Sequence, residues 1–463
     1  MFDKNIYIAR RKKLVESVGT GIILLPGNGE ASCNYPDNTY LFRQDSTFLY
    51  YFGLDKPGLA AILDAESGEE ILFGDDVDID DIIWMGPQPL FREEAARVGV
   101  SKSAPFAALE KTVREALGKG RKVHYLPPYR NANRILLSNL LGVSLDKVES
   151  GASTELIKAI VAMRIVKEPC EIAEIDKACN LGYAMHYVAM KMMHLGMVEQ
   201  ELVGAMEGVC YSGGYMPSFP TILSQHGETL HNHSHSGVLE DGKLCVIDAG
   251  VEIQSHYCSD NTRTLPCSGR FTLKQKEIYN IVLAANDYAR ENAKPGITYR
   301  DVHIGSARVI LKGLSDLGLV HGDLEEMTAA GVAGLFMPHG LGHNMGLDVH
   351  DMENLGENLV GYDPDQKRAE QLGLGSLRMA RRLVPGHVIT DEPGIYFIPA
   401  LIEKWKKEGI NAGFVNFCKL EEYYDFGGIR LEDDLLITED GARILGSKRL
   451  PIYVGEIEET MKK

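Results

Sequence analysis

Four short segments between residues 245 and 432 each set acids or histidines into apolar strand or glycine-rich sequence, and they restrict the fold more than anything else in the chain. The first is Cys245-Val-Ile-Asp248-Ala-Gly250, followed by Asp260-Asn-Thr-Arg-Thr264. These two β-rich runs, separated by Glu252 to Ser255, read as a hairpin. Strand alternation puts Asp248 on the inward face with Leu244 and Val246. The second is Pro338-His339-Gly-Leu-Gly-His343-Asn-Met-Gly346, followed by Asp348-Val-His350-Asp351, where glycines let backbone come close to a site. The third, His387-Val-Ile-Thr-Asp-Glu392-Pro393-Gly394, ends an apolar strand on an acid. In the fourth, Gly428-Ile-Arg430-Leu-Glu432-Asp-Asp-Leu-Leu436, alternation places Arg430, Glu432 and Asp434 on one face.

Taken singly, these segments have bland readings: a turn-capping aspartate, a solvated histidine loop, a strand with a polar outer side. A carboxylate among apolar neighbours is costly to bury unless something neutralises it. Together the segments offer one neutral imidazole and four carboxylates. Two divalent ions would balance that charge at +4 against −4. Oxygen-rich ligation with one nitrogen favours manganese or cobalt over a thiol-seeking metal.

The remaining sequence narrows the class. A chain of 463 residues exceeds the ~250–300 at which a single core stops growing, so at least two domains are expected. Asp and Glu total 65 against 48 for Lys and Arg, a net −17, which disfavours nucleic acid and anionic membrane as partners. No apolar run approaches the ~18–20 residues a membrane span needs. The start, MFDKNIYIARRKKLVES, is charged and lacks an apolar signal core. The eight cysteines form no CxxC pair, which argues against a disulfide framework or a zinc knot and suits a reducing cytoplasm.

Residues 1–150 read as a smaller α/β unit: strands at Gly21–Leu25, Leu59–Leu63, Glu70–Phe73 and Lys122–Leu126, with a helix over Pro105–Leu117. Glu149 to Thr154 reads as a linker, and 151–170 as the linker and connecting helix between the two domains. From 171 onward the order is helices (Glu171–Leu195), hairpin, helices (Thr272–Ala293 with Thr272 as N-cap, and Tyr299–Leu317), then strands. That order predicts α+β with an antiparallel sheet.

At these residues the chain resembles the pita-bread metallopeptidases, in particular the aminopeptidase P and prolidase group. Arg43-Gln-Asp-Ser-Thr-Phe48 and Tyr51-Phe-Gly53 resemble the aminopeptidase P N-terminal domain, and the resemblance covers nearly the whole chain. It implies a pita-bread catalytic domain over 171–463 and a homodimer or larger homo-oligomer. Its five metal ligands carry over onto Asp248, Asp260, His343, Glu392 and Glu432, with Asp260 and Glu432 bridging. Its supporting histidines fall on His231, His339 and His350, and its arginine beside the last ligand on Arg430. Ser376-Leu-Arg378-Met-Ala-Arg381 resembles a prolidase segment, in which Arg378 would bind a dipeptide's free carboxylate. Manganese is the first metal implied, with cobalt or zinc as alternatives. The interval from Asp248 to Asp260 is one residue longer than the family's usual spacing. A slip inside a paired strand would turn Asp260 to the wrong face, so the extra residue is expected in the turn or in a bulge between Glu252 and His256.

The resemblance implies a metal-dependent Xaa-Pro aminopeptidase, with an Xaa-Pro dipeptidase as its sibling reading and proline-containing peptides as substrates. Metal coordination lowers the pKa of water toward neutrality, giving a nucleophile. Glu392 would move the proton. His231 and His350 would hold the scissile carbonyl. A non-enzymatic pita-bread binding protein is the alternative from another class, disfavoured by the complete ligand set and the acidic balance. Of His226, His231, His233 and His235, three are expected in a solvated loop.

Overall fold

The computed structural model describes residues 2–462. The chain forms two compact units: one runs to Arg164 and includes Glu353–Leu359, and the other comprises Ile165–Met352 and resumes at Val360. The first is built on a five-stranded mixed sheet in the order Ser103–Ala104, Glu70–Phe73, Ala60–Asp64, Ile22–Pro26, Val123–His124. Ala60–Asp64 and Glu70–Phe73 are antiparallel across the Ser67-Gly68 turn, where Gly68 takes a φ of +73°. The two outer strands are parallel to their neighbours. Helices Ala108–Gly118 and Asn131–Leu141 press Leu109, Val113, Leu137 and Leu140 onto Ile22, Leu24 and Ile62. Each fully buried aliphatic chain of this kind contributes about 1.5–3 kcal/mol.

The stretch 149–154, expected to be a linker, is bonded into this unit. Ser153 N donates to the Tyr125 carbonyl and the Tyr125 hydroxyl donates to the Val148 carbonyl. Helix Thr154–Arg164 follows before the division at Ile165.

The second unit repeats one pattern twice: a helix pair, then a strand pair. Helices Pro169–Met192 and Glu199–Gly213 precede the first strands, and Leu273–Asn292 and Tyr299–Asp316 precede the second. Thr272 caps Leu273–Asn292 through a reciprocal bond with Gln275, and Ile278, Val282, Ala285 and Ala289 are among the residues it buries, at helical spacing. Leu244–Ala249 pairs antiparallel with Asn261–Pro266, from Leu244↔Pro266 to Ala249↔Asn261. The Glu252↔Cys258 bridge and the bond from Ile253 N to Tyr257 O continue that register unbroken. The additional residue therefore sits in the turn, where His256 takes a φ of +67°. Thr262 lies opposite Asp248, so Asp260 keeps the Asp248 face.

Each of the later strands is divided in two, the first at the acid on which its apolar run ends. Val388–Asp391 pairs with Asp433–Ile437, and Gly394–Tyr396 with Gly428–Arg430. Pro393 has no N–H to give the ladder, and the interruption falls there. Both ladders keep one register (Asp391↔Asp433, Gly394↔Arg430), so Glu392 faces Glu432 across the gap. All eight cysteines are free. Among the described residues no helix is long and apolar enough to cross a membrane.

Candidate metal centre

The two strand pairs and the glycine-rich segment converge on one cavity of about 550 Å³. Its lining includes all ten residues singled out from sequence: Asp248, Asp260, His343, Glu392, Glu432, His231, His339, His350, Arg378 and Arg430. The glycines bring the histidines in. A Cβ on Gly342 would stand 2.1 Å from the Thr390 carbonyl oxygen, so only glycine lets this segment lie against the strand leading to Glu392. Thr390 N donates to His343 O and Glu392 N to Leu341 O, which fixes His343 beside Glu392.

Ligand atoms of Asp260, His343 and Glu432 lie within 4.8 Å of one another. His343 Nε2 is 3.4 Å from Asp260 Oδ2 and 3.8 Å from Glu392 Oε1. The Asn344 carbonyl can only accept, so His343 Nδ1 donates to it at 3.0 Å. In the neutral ring the lone pair is then on Nε2, facing the acids. Asp248 stands outside the tight triad. Its Oδ2 takes a bond from Arg430 Nη2, while its buried Oδ1 has no hydrogen-bond partner.

The supporting groups are oriented by the same logic. His350 stacks on His343 with ring centroids 3.8 Å apart. Arg378 Nη1 donates to His350 Nδ1 at 3.1 Å. A guanidinium has no acceptor, so the neutral His350 carries its proton on Nε2. Arg378 lies in an irregular loop after the turn Leu374–Ser376, half-buried. His339 Nδ1 donates to the Gly340 carbonyl, leaving Nε2 to accept from the Tyr396 hydroxyl at 3.0 Å. Burial, with Arg430 next in effect, pushes His339 down to about 3 and His231 below its ordinary value, so both are neutral at pH 7.

Three partners complete the site: alternation placed Asp434 on the Glu432 face, and Tyr396 and Thr262 escaped the sequence reading. Tyr396, fully buried, also accepts from Arg430 Nη1 at 2.8 Å; alternation from Glu392 could have found it. Thr262 Oγ1 donates to Glu432 Oε2 at 2.7 Å. Asp434 Oδ2 accepts from Asp260 N at 3.0 Å and from Cys179 Sγ at 3.3 Å. His233, expected in a solvated loop, lines the cavity together with Phe219, Ile222, Leu230 and Val349. His226 is exposed beside Glu228, and His235 donates to the Leu223 carbonyl.

This arrangement has close counterparts. Residues 173–439 match the model of metallopeptidase family M24, and residues 7–125 match the aminopeptidase P N-terminal domain. The chain belongs to metallopeptidase family M24. It is 32% identical to the human Xaa-Pro dipeptidase, over 98% of this chain and 93% of that protein. It is also 32% identical to a probable Xaa-Pro aminopeptidase of Metarhizium robertsii, over 93% of this chain and 88% of that protein. Zinc-substituted Escherichia coli aminopeptidase P in complex with product superposes with a TM-score of 0.81 at 28% identity, covering 99% and 98% of the two chains. The same enzyme with the inhibitor Pro-Leu gives 0.80 at 29% identity over the same shares. The fold is accordingly α+β, a pita-bread M24 catalytic domain preceded in the chain by a smaller α/β domain.

M24 metallopeptidases require divalent metal, and the residues here suit it. Burial first, then the Asp248 charge, holds Asp260 well above the usual carboxylate range; burial and Asp260 do the same to Glu432. Burial also raises Glu392. Without cations these acids resist sharing their charge. The buried Oδ1 atoms of Asp248 and Asp260, both without a hydrogen-bond partner, and the Nε2 lone pair of His343 are the donors that hard or borderline divalent ions take.

Proposed function

We propose that the protein is a dinuclear Xaa-Pro peptidase whose ions are held by Asp248, Asp260, His343, Glu392 and Glu432. The observation that carries this reading is the convergence of those five side chains with His231, His350, Arg378 and Arg430 on one cavity. In it, residues 171–463 are the catalytic domain and 1–150 an accessory one. Manganese is proposed first, since four carboxylates and one imidazole form the donor set, and none of the cavity-lining side chains is a cysteine.

Two bound divalent ions supply a water made acidic enough to attack at neutral pH and a Lewis-acid contact for the carbonyl. The chain's own residues do the rest. Glu392 takes the proton from the attacking water and passes it to the leaving nitrogen. His350 offers Nε2–H to the carbonyl oxygen as charge develops there, and neutral His231 offers a second donor. Arg430 holds Asp248 by an ion pair and Tyr396 by a hydrogen bond. An Xaa-Pro amide has no N–H, so recognition must come from the carbonyl, the ring and the termini.

Arg378 supports the dipeptidase form of this activity. Its half-buried guanidinium is in the cavity beside His350, and a fork of this kind captures a C-terminal carboxylate in two-pronged fashion. The likeness to E. coli aminopeptidase P over nearly the whole chain favours the second reading, in which longer peptides are cut after their first residue. The deciding assay compares Xaa-Pro, Xaa-Pro-Xaa and proline-free peptides with added manganese. Under the dipeptidase reading, Arg378→Ala raises KM for Xaa-Pro about ten- to a hundredfold, the equivalent of ~1.5–3 kcal/mol for a charged hydrogen bond, and leaves tripeptides nearly untouched. Equal losses on both, or none on either, would show that Arg378 is not the length-reading residue. Cleavage of proline-free peptides at matching rates would remove the Xaa-Pro reading altogether.

A homo-oligomer is also proposed. Helix Ile79–Met85 has no buried residue, and Ile79, Ile83, Trp84 and Met85 are all more than 60% exposed. An apolar cluster of this kind marks an interaction surface. Light scattering should report a smaller particle for Trp84→Glu than for wild type. An unchanged mass would exclude this face from the assembly.

A further inference from the structure

The strand pair that carries Glu392 and Glu432 has a second face, and that face is acidic too. Asp391 precedes Glu392, Asp433 follows Glu432, and the two aspartates are direct cross-strand partners. They are 0% and 2% exposed. Like charges placed opposite one another weaken a sheet, and burial makes the penalty larger. Two arginines meet them. Arg263 Nη2 donates to Asp433 Oδ1 at 2.6 Å, and Arg449 Nε donates to Asp433 Oδ2 at 2.9 Å. Arg449 goes further, because its Nη2 donates to Asn286 Oδ1 at 2.6 Å. Asn286 Nδ2 in turn donates to both the carbonyl and Oδ2 of Asp391, each at 3.2 Å. One side chain near the C-terminus therefore reaches the neighbours of both glutamates.

We propose that Arg449 is a positioning residue for Glu392 and Glu432, fixing through Asp433 and Asn286 the two strand segments from which those glutamates enter the cavity. The inference rests on the metal-ligand reading above. Its physical basis is that the strands are divided at Glu392-Pro393 and Leu431-Glu432, so ladder bonds are thinned where the glutamates stand. A planar guanidinium holding two acceptors at a set angle replaces that lost rigidity, which an ammonium on a flexible stem cannot do. Residues that orient metal ligands from behind typically govern affinity by ten- to a hundredfold.

The test uses the full-length, metal-free protein titrated with Mn²⁺ by calorimetry, alongside its melting temperature. Arg449→Met should bind Mn²⁺ about ten- to a hundredfold more weakly, and Arg449→Lys should recover only part of the loss. The double variant Arg449→Met/Asp433→Asn removes both ends of the Arg449–Asp433 pair and leaves Arg263 an uncharged oxygen at position 433. It should bind Mn²⁺ as weakly as the single variant. Wild-type affinity in either the single or the double variant would overturn the proposal, since Arg449 would then serve only to neutralise Asp433. Should Arg449→Met fail to fold, the double variant decides alone. A wild-type protein that binds no Mn²⁺ would instead remove the metal-ligand reading on which the inference stands.

Discussion

Glu432→Ala and Asp260→Ala are each expected to abolish peptidase activity and to remove at least one metal ion per chain. Glu432 is buried, faces Glu392 across the strand gap, and receives a hydrogen bond from Thr262 that fixes one of its oxygens. Asp260 has a buried Oδ1 without a hydrogen-bond partner and lies 3.4 Å from His343 Nε2. A carboxylate shared between two cations serves both, so its loss exposes each cation to the other's charge. The defect should therefore exceed the ~10²-fold that removing a supporting partner brings. Elemental analysis of dialysed protein checks the metal count, and circular dichroism checks the fold. Full occupancy in a folded, inactive variant would show that these acids do chemistry without holding metal.

His350→Ala and His231→Ala should leave metal content unchanged while kcat falls ~10²–10³-fold, the usual effect of losing one donor to a developing oxyanion. The structural ground is the tautomer of His350. Arg378 occupies Nδ1, so the proton is on Nε2, the nitrogen left to donate. Stacking on His343 holds the ring plane. For His231 the ground is its place in the cavity wall and its neutral form, which leaves one ring N–H to donate. Steady-state kinetics together with metal analysis read both variants. Loss of metal along with rate would make either histidine a ligand and redraw the five-residue set.

What the sequence determined was local and periodic. Alternation alone put Arg430, Glu432 and Asp434 on one face, and all three turn to the cavity or to Asp260. Composition and spacing identified Thr272 as a cap, whereas the extra residue of the first hairpin, known from the family resemblance, could fall in a turn or a bulge until the paired register put it in the turn. The glycines around His343 announced a close backbone approach without naming Thr390 as the surface approached. The tertiary structure alone decided the rest. The stretch 149–154 reads as a linker because it is small and polar, yet Tyr125, far back in the chain, binds it. The strands divide at Pro393 yet keep register, because Leu431 N still donates to the Pro393 carbonyl. Arg430 on Asp248 across 182 residues, and Arg449 on Asp433 and Asn286, have no periodic signature, and alternation that sets Tyr396 on the Glu392 face does not name His339 and Arg430 as its partners. The physical reason is one of range. Which face a strand residue takes follows from its own backbone, whereas which partner a buried charge finds depends on distant segments that meet only when the core has closed.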